Sequence, residues 1–105
     1  MGHQEKGYEL VKEFVEGELD DYCIKIKDIS FSEEYGGDYY FDVTVELNND
    51  IEKGLTFKYV PEPEKDTYRT RSNLEVCLYE DCYEEVECYD WRVKYFWMAL
   101  LKWEV

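Results

Sequence analysis

Four thiols, one imidazole and twenty-six carboxylates are the groups through which this chain could do chemistry. Cys77, Cys82 and Cys88 follow one another with four and then five residues between them, and Cys23 stands far upstream. That is not the spacing of paired C-x-x-C knuckles, which bring two thiolates to one tetrahedral ion from a single tight turn. The cysteines therefore read as free, reduced thiols, with no metal and no cofactor. Nucleophilic catalysis by Cys or Ser needs a base held beside the nucleophile, and the sole histidine, His3, stands in a terminus expected to fray. Acid–base work by paired carboxylates is compatible with the composition, but a chain of 105 residues leaves little room for a substrate cleft. Gly36-Gly37 fits a turn better than a phosphate-cradling loop, and no Asp/Asn/Gly calcium loop occurs. The expectation is a protein that is not an enzyme.

The carboxylates themselves are the stronger signal. Residues 80 to 90 hold six acids and no base: Glu80, Asp81, Glu84, Glu85, Glu87 and Asp90, interleaved with Tyr83 and Tyr89. Tyrosine is an amphipathic anchor enriched at protein interfaces. The whole chain carries a net charge of −14, unevenly spread: residues 37–50 have four acids and no base, whereas 51–72 have five Lys/Arg against four acids. Such a charge repels phosphates, so direct binding to nucleic acid is not expected. A folded array of carboxylates can instead imitate nucleic-acid phosphates and occupy the cationic groove of a protein that binds or cuts nucleic acid. The residues assigned to that contact are Glu80, Asp81, Tyr83, Glu84, Glu85, Glu87, Tyr89 and Asp90, joined by Tyr40, Asp42 and Glu46. By class analogy alone the chain looks like the small acidic inhibitors that phages use against restriction or CRISPR effectors, or like nuclease immunity proteins. The competing reading is an assembly subunit that self-associates through its Trp-rich C-terminal segment, with acidity serving only solubility.

These residues need a scaffold, and 18% aromatic residues within 45% hydrophobic content supply one core, hence a single domain over 1–105. Residues 4–19 fit an amphipathic helix: Tyr8, Leu10, Val11, Phe14, Val15 and Leu19 share one side, and Glu5, Glu9, Glu13 and Glu16 form an acidic stripe opposite. Gly17 is a candidate left-handed cap for its end. Ile24 and Ile26 share one strand parity and Ile29 and Phe31 the other, which predicts a bulge near Lys27-Asp28. A turn at Gly36-Gly37 leads to a second strand in which Tyr39, Phe41, Val43, Val45 and Leu47 alternate with polar residues. Leu55, Phe57 and Tyr59 define a third strand ending at Pro61, and Leu74, Val76 and Leu78 a fourth.

A tight two-residue turn at Glu80-Asp81 would set Tyr79 against Cys82 and the apolar Val76 beside a carboxylate, Glu85. A longer loop or a single helical turn over the acidic stretch is therefore preferred. The tail from Trp91 to Val105 reads as a helix with Asp90 as its N-cap, or alternatively as a long final strand, since every odd position from 91 to 103 is apolar. The expected fold is α+β, an N-terminal helix on an antiparallel sheet of four to five strands closed by the aromatic tail. Without a membrane-length apolar run or a secretory pattern, the chain is expected to be cytoplasmic, with no membrane contact and with oligomerisation open.

Overall fold

The repeat of apolar residues three and four apart folds the first stretch as helix α1, His3–Leu19. The computed structural model describes residues 2–19, 25–46, 52–62, 73–79 and 82–86. Val11 and Val15 are fully buried, Leu10 and Phe14 half-buried, and Glu5, Glu9, Glu13 and Glu16 exposed, as the amphipathic pattern requires. Gly17 does not cap the helix: it lies inside α1, and the glycines with positive φ are Gly36 and Gly37. The buried glycine is Gly7, on the helix face that meets the sheet. A Cβ built there would stand 2.8 Å from Cε2 of Phe41 and 3.0 Å from Cβ of Tyr59, so the missing side chain is what lets α1 approach so closely.

Five antiparallel strands follow: β1 (Lys25–Tyr35), β2 (Asp38–Glu46), β3 (Glu52–Tyr59), β4 (Leu74–Tyr79) and β5 (Cys82–Glu85), hydrogen-bonded in sequence order. Gly36 and Gly37, at φ 61° and 86°, close β1 onto β2 with two residues, a turn whose twist matches that of the strands. The register slips between Ile26 and Asp28, where the change of parity predicted a bulge, and again between Phe31 and Glu33. Each slip turns the following side chains to the other face, so Ile29 pairs with Val43 and Phe31 with Phe41 on the helix side, while Glu33 pairs with Tyr40 on the other.

Phe41, Val43, Val45, Leu55, Phe57, Tyr59, Leu74 and Val76 form the inner face, and α1 covers it with Val11 and Val15. Phe14 meets Phe57 edge-on at 5.9 Å between ring centroids. His3 is helical rather than frayed, and its ring lies 5.9 Å from Tyr39 and 6.4 Å from Tyr59. Asn73 ties the end of β3 to the start of β4: its Nδ2 donates to the Val60 carbonyl at 2.7 Å, and the Val60 amide donates to the Asn73 backbone carbonyl at 2.7 Å.

The tight connection after β4 is used after all. Tyr79 stands opposite Cys82, and a register shift between Cys77 and Tyr79 places Glu84, not Glu85, opposite Val76. The expected longer loop or helical turn over the acidic stretch is thus replaced over Cys82–Glu85 by a strand. Val86 ends it in the core, with its amide donating to the Leu74 carbonyl at 3.2 Å. The expected tail helix or strand lies outside the described residues. Among the described residues, no helix is long and apolar enough to cross a membrane.

Candidate functional site

Strand alternation sorts the predicted contact residues. Tyr40, Asp42 and Glu46 occupy every second or fourth position of β2 and share its outer face, the one turned away from α1. Tyr83 joins them by its pairing with Cys77, and its ring meets Tyr40 edge-on at 5.7 Å. Glu85 takes the register position opposite Glu75, on that outer side of the ladder. Glu84 does not belong to the group, because its pairing with the buried Val76 sets it on the inner side. Strand geometry thus divides the neighbouring register positions of Glu84 and Glu85 between the two sides of the ladder. Glu80, Asp81, Glu87, Tyr89 and Asp90 lie outside the described residues.

The structure adds residues that the sequence pattern did not single out. Glu33 reaches the outer face because of the second bulge in β1, and stands beside Tyr40. Lys58 of β3 pairs with Glu75 of β4 at 3.5 Å, each side chain 18% exposed, and its Nζ lies 4.7 Å from the centroid of the Tyr83 ring. Lys27 bridges Glu46 and Glu52 at the far end of the sheet. Asp42 accepts a long hydrogen bond of 3.4 Å from the Thr56 hydroxyl. Lys27 and Lys58 thus already have carboxylate partners and Lys25 stands on the same face opposite Glu46, whereas Glu33 and Asp42 make no ion pair among the described residues. Cross-strand neighbours signal Lys58 and Glu75 once the pairing is known, but nothing along the chain does so before it.

Burial pushes the Tyr40 phenol above its ordinary pKa; Lys58 opposes the shift, while Asp38, Glu33 and Glu75 add to it. The phenol accordingly stays neutral through the physiological range, presenting an uncharged ring and a hydroxyl. Around it, Ser32, Glu33, Tyr35, Tyr40, Thr56, Lys58 and Tyr83 line an open concavity of about 580 Å³.

Comparison with known proteins found no match: no family model, no curated protein and no solved structure resembles the chain. The chemistry of the face must therefore be argued from its own residues. Cys77 and Cys82 are half-buried cysteines on adjacent strands, and no group of three or more His, Cys, Asp and Glu is placed to hold a metal among the described residues. His3 is packed beside tyrosine rings on the inner side, so the imidazole is set against phenols rather than against a thiol. What the outer face offers is recognition: carboxylates, phenol rings and a hydroxyl-lined hollow on a hydrogen-bonded sheet.

Proposed function

We propose that this chain is a non-catalytic, acidic inhibitor that binds the cationic surface of a nucleic-acid-handling protein, its outer sheet face standing in for nucleic acid. The observation that carries the reading is the placing of Glu33 and Asp42 next to the Tyr40–Tyr83 pair on one strand-ordered face, with Glu46 further along β2 beside Lys27. Outward-pointing residues two apart on a strand repeat at about 6.8 Å, so the backbone fixes where the charges stand before any partner arrives. A preset array loses little conformational entropy on binding. The chain's net charge of −14 steers a basic partner toward the molecule from a distance. Tyr40, Tyr83 and the exposed Tyr35 supply the apolar contact area that a purely ionic contact lacks. The partner is a basic protein that binds or cuts nucleic acid, as a restriction or CRISPR effector or a nuclease toxin would be, and the contact belongs in the cytoplasm.

Affinity capture from a lysate of the source cells tests this. The wild-type chain should retain a basic nucleic-acid-binding protein at low salt and release it at high salt. The E33K/D42K/E46K variant should retain none while keeping its circular dichroism spectrum. Recovery of nothing, or of the chain itself alone, would overturn the reading.

A further inference from the structure

The hollow beside Tyr40 has a chemistry more specific than the face that contains it. Tyr35, 74% exposed, and Tyr40 and Tyr83 supply its rings, Glu33 its carboxylate, and Ser32 and Thr56 its hydroxyls. The face already holds one cation against an aromatic ring: Lys58 lies over Tyr83, with Glu75 as its counter-ion. Lys58 is thereby committed, and it leaves Glu33 as the lining charge without an ion pair among the described residues. An anionic ligand would have to enter against the field of a chain with net charge −14 and compete with Glu75 for Lys58. A cation is drawn by that field, and the opposing charge of Lys58 in the lining is already held by Glu75.

We propose that this hollow is an arginine site, taking one guanidinium from a basic protein partner so that it stacks on Tyr35 and Tyr40 and is held by Glu33. Arginine is the chemistry of choice here for three reasons. Its planar head stacks on phenol rings, its forked donors match a carboxylate with two parallel hydrogen bonds, and it sheds water more readily than an ammonium group does. The volume of about 580 Å³ falls in the range of side-chain- and small-ligand-sized sites. Tyr40 also contributes a neutral ring, since burial holds its proton in place. The proposal rests on the reading of a cationic protein partner and narrows it to a particular side chain.

The test uses the whole chain and two blocked peptides, hexa-arginine and hexa-lysine, titrated calorimetrically at physiological salt. Hexa-arginine should bind at least about fivefold more tightly than hexa-lysine, a margin that one stacked guanidinium accounts for. E33Q, an exposed change that leaves the fold alone, should weaken hexa-arginine about tenfold, and Y40L should do so as well, with its melting curve checked. E13Q, on the far side of α1, should leave the arginine preference unchanged. Equal affinity for the two peptides, or equal losses from E33Q and E13Q, would overturn the site in favour of a diffuse acidic field. The two proposals fail separately. Undiminished capture of a basic protein by E33Q would remove the arginine site and leave the inhibitor reading standing. A preserved peptide contrast with no protein captured would remove the inhibitor reading and support the site.

Discussion

Gly7 and Gly17 share one helix and one residue type, yet they carry opposite consequences. Alanine is worth about 1 kcal/mol over glycine in a helix interior. At Gly17 a new Cβ meets nothing within 4 Å, so G17A should stabilise the protein, by about 0.5 kcal/mol this near the helix end. At Gly7 the same methyl would press on the Phe41 ring and the Tyr59 Cβ at 2.8–3.0 Å, both on fully packed side chains. Overpacking of a filled core costs about 1–3 kcal/mol, which outweighs the helical gain. G7A should therefore lower stability by about 1 kcal/mol net, and urea unfolding of the two variants side by side checks both signs. The tyrosines make a second test at this scale. Burial raises the Tyr59 pKa above its ordinary value of 10.0, so the folded chain holds that proton more tightly than the unfolded chain does. The resulting stability is complete below pH 10 and is lost as pH rises through the folded-state value. Y59F should accordingly flatten the fall in urea midpoint between about pH 9.5 and 11.5; a fall as steep as wild type would remove Tyr59 as its cause.

At the scale of elements, the joint between β3 and β4 hangs on one side chain. Asn73 donates from Nδ2 to the carbonyls of Val60 and Pro61 at 2.7 and 3.4 Å, while its backbone carbonyl accepts from Val60. N73A should cost about 1–2 kcal/mol in urea unfolding, and N73D more, because a carboxylate would face the two carbonyls it cannot bond. Asn73 carries no mark in the sequence, since its role depends on a pairing that residues 63–72 separate along the chain. The same reasoning explains what was legible and what was not. The α1 stripe, the alternation of β2 and the bulge near Lys27 are patterns within one element, and each is found where the periodicity predicts. The end of β4 resisted because a register shift between Cys77 and Tyr79 rearranges the opposition of residues, and Val76 tolerates Glu84 across the ladder. Glu33 reached the candidate face through a second bulge that its neighbours do not announce. Residue type alone does not separate Gly17, inside α1 with open space around it, from Gly7 against Phe41 and Tyr59, because close approach is a property of packing.

The whole molecule is governed by its charge. Twenty-six acids against twelve bases give a net −14 on a single small chain, and acids stand on both layers: Glu5, Glu9, Glu13 and Glu16 along α1, and Glu33, Asp42 and Glu46 across the sheet. The ion pairs on the sheet, Lys58 with Glu75 and Lys27 with Glu46 and Glu52, neutralise only part of this charge. The largely exposed Lys27 pairs are each worth at most about 1 kcal/mol and weaken with salt, while Lys58–Glu75, with each side chain 18% exposed, is screened less. The long-range repulsion among the remaining carboxylates acts over about 30 Å at 0.01 M salt but only about 8 Å at 0.15 M. Folding brings those charges together, so screening favours the folded state more than the extended one. The two salt effects oppose each other, and the repulsion wins because twenty-six acids face only twelve bases. Thermal unfolding should therefore shift upward by about 4–8 °C, the equivalent of about 1 kcal/mol, between 0.01 and 0.5 M sodium chloride. A melting temperature that stayed flat or fell over that range would mean that local pairing, not net charge, dominates. Association with a cationic partner must move the other way, because salt that relieves the chain's own repulsion also screens its attraction for the partner. Stability that rises with salt while capture of a cationic partner falls is the joint signature expected of the proposed role, in a chain whose twenty-six acids exceed its twelve bases.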